Sequence, residues 1–269
     1  VIYVSERFEQ WIPVTPDDGC WRIQPEWSPD GEKLAFLSVD ATKPQATLEM
    51  QAMVVGLAPR ADRGEAVGIT PPGARSVDLA WDVNSQHVYH IVQRGSKYVL
   101  EIVKWPSLER TVAMEGPAMG LLSVAASTGD VVWLQQRSDE ASDGRGADGR
   151  TWVLWKLSPG HRARETPVRL DFTPSLVSTI SPDGKWISYR ITRVEGNDTL
   201  FIVSVNPDID SIYSFAFGNY LSFSEDGKWA AMRIGFSEKE MEKKKEKKQE
   251  IRYAVILVRL SDGKQEKFK

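Results

Sequence analysis

Reactive and ligating side chains are sparse in this sequence. Its only histidines are His87, His90 and His161. His87 and His90 lie three apart on a predicted strand, which points them to opposite faces and spoils a shared metal site. Asn206-Pro207-Asp208-Ile209-Asp210-Ser211 resembles the start of a calcium loop, but lacks its later glycine and distal glutamate and reads more simply as a turn. A Gly-x-Ser-x-Gly nucleophile elbow, a Walker loop and a Cys-x-x-Cys pair are all absent. No catalytic, cofactor-binding or metal-ligating residue is assigned, and no cofactor is expected. Charge clusters remain as binding candidates: Arg137, Arg145 and Arg150 in one loop, and Lys243, Lys244, Lys245, Lys247 and Lys248 in another.

The elements that must carry these loops are announced by a repeated phrase. Trp27-Ser28-Pro29-Asp30-Gly31, Ile180-Ser181-Pro182-Asp183-Gly184 and Phe223-Ser224-Glu225-Asp226-Gly227 each join two apolar runs. The Asp accepts hydrogen bonds from backbone ahead of it, and Gly accepts positive φ, so each copy predicts a hairpin. Weaker copies stand at Asp82-Val83-Asn84-Ser85 and Ala126-Ser127-Thr128-Gly129. With anchors at 28, 82, 126, 181 and 224, the phrase recurs every 43 to 55 residues. That period, with strand signals throughout, predicts an all-β propeller of four-stranded antiparallel blades.

The predicted fourth blade uses 175–181, 185–191, 198–205 and 211–216, and the fifth uses 219–224, 228–234, 252–260 and 264–268. The second uses 75–81, 87–92, 97–105 and 110–114. Residues 1–5 and 11–14 resemble the outer two strands of a further blade. The expectation is one domain over 1–269, with units at about 1–14, 15–70, 71–114, 115–170, 171–216 and 217–269. It comprises five full blades and a partial N-terminal one, and reads as an excerpt of a larger propeller. Its 10 Trp are expected to fill blade cores and the gaps between blades.

Composition narrows the function classes. A net charge of −3 and a pI near 5.8 argue against a nucleic-acid surface. No apolar run is long enough for a membrane-spanning helix. Cys20 is the single cysteine, so there is no internal disulfide framework.

Because antiparallel strands alternate direction, the Asp-Gly turns belong on one side and the connections between second and third strands on the other. Three of those connections are long, at 39–47, 137–150 and 236–251. They are candidates for a peptide- or protein-binding face, or else ornament. Residues 237–250 predict a helix: Ser237 and Glu240 make a capping box, and Glu/Lys neighbours support it. With only Met241 apolar, it should project into solvent, as a contact for an acidic partner or as a spacer.

The Ser-Pro-Asp-Gly-Lys-aromatic pattern at 181–186, with its copies at 28 and 224, resembles TolB-type propellers built of PD40 (WD40-like) repeats. Over roughly 175–269 the order resembles the N-terminal propeller of bacterial prolyl-oligopeptidase-family (S9) proteins. That run includes Asn197-Asp198-Thr199-Leu200, Ser237-Glu238-Lys239-Glu240 and Leu260-Ser261-Asp262-Gly263. The resemblance implies a non-catalytic module that filters peptides for an attached hydrolase domain carrying the catalytic triad, and an extracytoplasmic location. No position here matches the triad motifs. A free-standing TolB-like interaction scaffold is the alternative, and a propeller-fold polysaccharide lyase the weakest.

Overall fold

A computed structural model of the chain describes residues 1–6, 10–42, 50–57, 65–137, 151–170, 176–192, 198–206, 212–250 and 253–268. The repeated phrase makes its turns by one hydrogen-bond scheme. The Ser181 hydroxyl donates to Asp183 Oδ1 at 2.6 Å and accepts the Trp186 N–H at 3.0 Å, while Asp183 Oδ1 also accepts the Lys185 N–H at 3.2 Å. Ser28 with Asp30, and Ser224 with Asp226, repeat it. Gly31, Gly184 and Gly227 sit at φ of 71°, 70° and 66°. The serine's role as a second organiser of the turn was not foreseen. In the weaker second copy, Asp82 replaces it by accepting the N–H groups of Gln86 and His87, and Ser85 takes the left-handed position at φ 57°.

The turns punctuate strands in simple succession. β1 (Tyr3–Glu6) pairs with β2 (Gln10–Pro13). Five four-stranded sheets follow, each in chain order. The first holds β3 (Cys20–Trp27), β4 (Lys33–Asp40), β5 (Met50–Gly56) and β6 (Val67–Gly68), and the second β7 (Arg75–Trp81), β8 (His87–Arg94), β9 (Lys97–Lys104) and β10 (Arg110–Gly116). The third holds β11 (Met119–Val124), β12 (Val131–Gln136), β13 (Trp152–Leu157) and β14 (Arg164–Leu170), and the fourth β15 (Leu176–Ile180), β16 (Trp186–Ile191), β17 (Thr199–Ser204) and β18 (Ile212–Ala216). The fifth comprises β19 (Gly218–Phe223), β20 (Trp229–Ile234), β21 (Ala254–Arg259) and β22 (Gln265–Phe268), with helix α1 (Glu238–Glu246) between β20 and β21. These are the five blades and the partial N-terminal unit that the repeat predicts.

Two details differ from the expectation. The third repeat is anchored at Ala125, whose N–H bonds to Asp130 O as Ser181 N–H bonds to Trp186 O, so the anchor falls one residue before 126. Its turn also closes one residue later, from Gly129 N to Ala125 O, which shifted the pattern by one. Trp21 and Trp27 of β3 are exposed rather than packed, whereas Trp81, Trp133 and Trp186 are buried as expected.

The chain forms two compact units, Val1–Leu122 and Ser123–Lys269. In the first, Leu37, Ala52 and Ile69 of the first blade pack on Leu79, Trp81 and Val103 of the second, and Trp81 Nε1 donates to Glu26 O at 3.2 Å. In the second, Trp186, Ile202 and Phe215 of the fourth blade pack on Ala230, Met232 and Leu260 of the fifth. Apolar side chains on facing sheets thus form each core, as sheet-on-sheet packing requires.

Candidate functional site

Superposing the repeats on their anchors exposes a substitution in the last two. The residue nine positions after the anchor is Leu37, Ile91 and Leu134 in the first three blades, all buried. It is Arg190 in the fourth and Arg233 in the fifth. Both arginines stand next to the final residue of the second strand, at the end opposite the Asp-Gly turn. Between these blades lies a cavity of about 710 Å³ lined by Thr179, Ser188, Arg190, Leu200, Asn219, Tyr220, Leu221 and Arg233. Its size suits a small ligand or a short stretch of peptide.

The backbone of β19 shapes one wall. Its pairing with β20 slips between Asn219 and Ser222, and Tyr220 within that bulge takes φ 53°, a conformation costly for a bulky residue. The Tyr220 ring, 76% exposed, lies over the Arg233 guanidinium at 4.2 Å. Tyr253 covers the guanidinium at 4.3 Å as well, and Arg233 Nε donates to Asn219 Oδ1 at 3.1 Å. Asn219 is itself tied down, its Nδ2 donating to Phe217 O at 3.2 Å. Tyr253 then packs on Phe236 with ring centroids 5.8 Å apart, and Lys244 Nζ of α1 sits 4.8 Å from the Phe236 centroid. An unbroken chain of aromatic and cationic contacts therefore runs from the cavity to the helix. Each cation–π contact contributes about 0.5–1 kcal/mol at such exposed positions.

The two arginines differ electrostatically. Arg190 is committed to Asp198, Nη2 to Oδ2 at 2.5 Å. Arg233 uses only its Nε among the described residues. The site thus presents one charge-compensated guanidinium and one whose terminal nitrogens have no hydrogen-bond partner among the described residues.

A second polar constellation has the outline of hydrolytic machinery without its access. Ser76 Oγ and His90 Nε2 lie 2.9 Å apart, and Ser76 Oγ and Thr70 Oγ1 2.6 Å apart. Both Ser76 and His90 are 0% exposed. Burial, helped by Arg110 and Arg94, pushes the imidazole pKa down to about 3, so the ring is neutral. The neighbouring Glu101, equally buried, pairs with Arg94 and with Arg110 Nη1 at 3.1 Å. A substrate cannot reach this serine, and the group is a structural network. His87, by contrast, is half-buried and faces Asp82 Oδ2 at 3.1 Å, on the other face of β8 as the spacing predicts.

The sequence-derived candidates scatter. Arg137 follows β12, is exposed, and closes the base of its loop through a backbone bond to Thr151 O at 2.8 Å. Arg145 and Arg150 lie outside the described residues, as do Asp208 and Asp210. Lys243, Lys244 and Lys245 form the last turn of α1, Lys247 caps it and Lys248 follows at φ 51°. The capping box forms as expected: Glu240 N donates to Ser237 Oγ, and Ser237 N to Glu240 Oε2. The helix ends at Glu246, and most of it is exposed, with Met241 and Lys244 partly covered. Only Lys244 joins the aromatic chain leading to the cavity. Sequence reasoning missed Arg190, Asn219, Tyr220, Arg233 and Tyr253. Its available signal was an arginine at a repeat position that is aliphatic in the other blades.

Among the described residues, no group of His, Cys, Asp and Glu is arranged to hold a metal ion, and no helix is long and apolar enough to cross a membrane.

No protein-family model and no curated protein matches this chain. Solved structures do match. TolB from Acinetobacter baumannii has a TM-score of 0.58 at 12% identity, over 96% of this chain and 56% of that one. The β-propeller domain of the trilobed protease from Pyrococcus furiosus has a TM-score of 0.53 at 14% identity, over 91% and 70%. A prolyl endopeptidase has a TM-score of 0.56 at 12% identity, over 93% and 35%. The protein has a β-propeller fold. More particularly, that fold is similar to those of TolB and of the peptidase propellers. The chain spans just over half the length of that TolB structure and about a third of the prolyl endopeptidase.

Proposed function

We propose that this propeller is a non-catalytic module that binds or gates peptide or protein ligands, as a propeller capping an S9-type hydrolase would. The observation that carries this reading is the cavity between the fourth and fifth blades, with Arg233 held by Tyr220, Tyr253 and Asn219. Its polar and apolar lining is the mixture that peptide recognition uses. Long second-to-third-strand connections at 137–150 and 236–251 add candidate contact surface, including Arg137, Arg145, Arg150 and the lysines 243–248. An array of peptides immobilised through their C-termini tests the reading. Retention of the 269-residue chain by a subset of sequences, weakened when 137–150 or 237–250 is deleted, is the expected result. Absence of binding both on the array and to free peptides in solution would count against it.

The likeness to TolB favours a second reading, a free-standing scaffold that docks a folded protein. A partner captured equally well by chains with and without 137–150 and 237–250 would place docking elsewhere. The attached-hydrolase version stands or falls on whether the gene encodes a Gly-x-Ser-x-Gly segment in the same chain.

A further inference from the structure

Arg233 is restrained on three sides and open on the fourth. Tyr220 and Tyr253 cover its guanidinium at 4.2 and 4.3 Å, and its Nε is committed to Asn219. The terminal nitrogens, the edge that grips a carboxylate with two parallel hydrogen bonds, have no partner among the described residues. A guanidinium fixed this way has already lost the rotamer freedom that binding would otherwise cost. We propose that the cavity between the fourth and fifth blades binds the C-terminal carboxylate of a peptide ending in an apolar residue, with Arg233 gripping the carboxylate. This deepens the peptide-binding reading above and rests on it.

Three observations select that ligand. First, the charge balance suits a monoanion. Arg190 is neutralised by Asp198, which leaves Arg233 as the single uncompensated charge among the described lining residues. A phosphate dianion would be matched better by two open cations. Second, apolar surface adjoins the guanidinium: Leu200, Leu221 and the Tyr220 ring line the same cavity. A chain terminus carries its carboxylate and its side chain on one Cα, so it presents anion and apolar group together. Third, the Thr179 and Ser188 hydroxyls supply donors and acceptors for the peptide groups that precede the terminus. The left-handed backbone of Tyr220 recurs four residues before the anchor at Gln24 and Leu121, so it belongs to the blade's first strand and the selection rests on the lining side chains.

Calorimetric titration of the 269-residue chain with N-acetyl-Ala-Ala-Leu as free acid and as amide tests the proposal. A third probe, N-acetyl-Ala-Asp-Ala-amide, carries its carboxylate on a side chain. The acid should bind at least tenfold more tightly than either amide. Arg233→Gln should bring the acid-to-amide ratio close to one, and Arg233→Lys should leave it intermediate. Near-ultraviolet circular dichroism checks that each variant is folded. If Arg233→Gln is not folded, Tyr220→Ala serves, with the ratio expected to fall several-fold. Equal affinity for acid and amide, or a ratio that survives in folded Arg233→Gln, overturns the proposal. So does preference for the aspartyl probe, which would move recognition to side-chain carboxylates. If the C-terminally immobilised array binds while acid and amide remain equivalent, the carboxylate proposal fails and the peptide-binding reading stands. If no peptide binds in either format, both fail.

Discussion

Single side chains in this molecule show how neighbours, not residue type, set chemistry. Asp78 of β7 accepts the backbone N–H of Leu79 at 2.9 Å and that of Leu122 in β11 at 2.8 Å. Those bonds favour its ionised form, yet burial outweighs them and pushes its pKa up to about 6. Glu26, also raised by burial, is held up further by the Asp78 charge. A raised pKa means that the folded state holds the proton more tightly than the unfolded chain does. The contribution of Asp78 is therefore complete below its unfolded value of 3.8 and is lost as pH rises through about 6. Urea unfolding at pH 4 and pH 7 should show the natural chain losing about 1–3 kcal/mol relative to Asp78→Asn over that interval. A stability difference between the two chains that does not change with pH would refute this.

The turns show the same dependence between elements. Gly227 follows from local rules, since φ 66° disfavours a side chain. Local rules do not foresee that a Cβ there would come 2.6 Å from Cγ of Asp183, in the preceding blade's turn. Gly184 stands likewise against Asp130, with a built Cβ 2.5 Å from Oδ2. Successive turns of the second unit are thus nested, glycine against aspartate. Gly227→Ala should cost about 2–4 kcal/mol, through strain at positive φ and displacement of Asp183. Gly31→Ala is the control. Its φ is 71°, but a Cβ there meets nothing within 4 Å, so only the conformational part should appear, about 1–2 kcal/mol. Equal losses in thermal or urea unfolding would show that the nesting contributes nothing.

For the molecule as a whole, neighbouring blades within each unit bury apolar faces against one another, which makes stability a sum of unit and interface terms. Two compact units, Val1–Leu122 and Ser123–Lys269, are distinguishable within the chain. We propose that 1–269 nevertheless melts as one domain. Scanning calorimetry should give a single transition whose van 't Hoff and calorimetric enthalpies agree. Two resolved transitions would assign the units to separate cooperative domains.

Amino-acid order alone specified what depends on near neighbours along the chain. The Ser-Pro-Asp-Gly turns close over five residues, the capping box over three, and strand alternation over two, so each is written in adjacent letters. Their spacing counted the blades. The drift of the third anchor to Ala125 marks where a degenerate turn weakens that signal. The candidate site lies beyond such reading, because its parts belong to different repeats: Thr179, Ser188 and Arg190 on one blade, Asn219, Tyr220 and Arg233 on the next. Folding sets them around one cavity through sheet packing, a bulge in β19 and a cation held between two rings. The bulge recurs in β3, β7 and β15, but the packing and the held cation have no local sequence period. The arginines were visible all along at equivalent positions of two repeats, but only packing revealed that one is neutralised by Asp198 and the other left open.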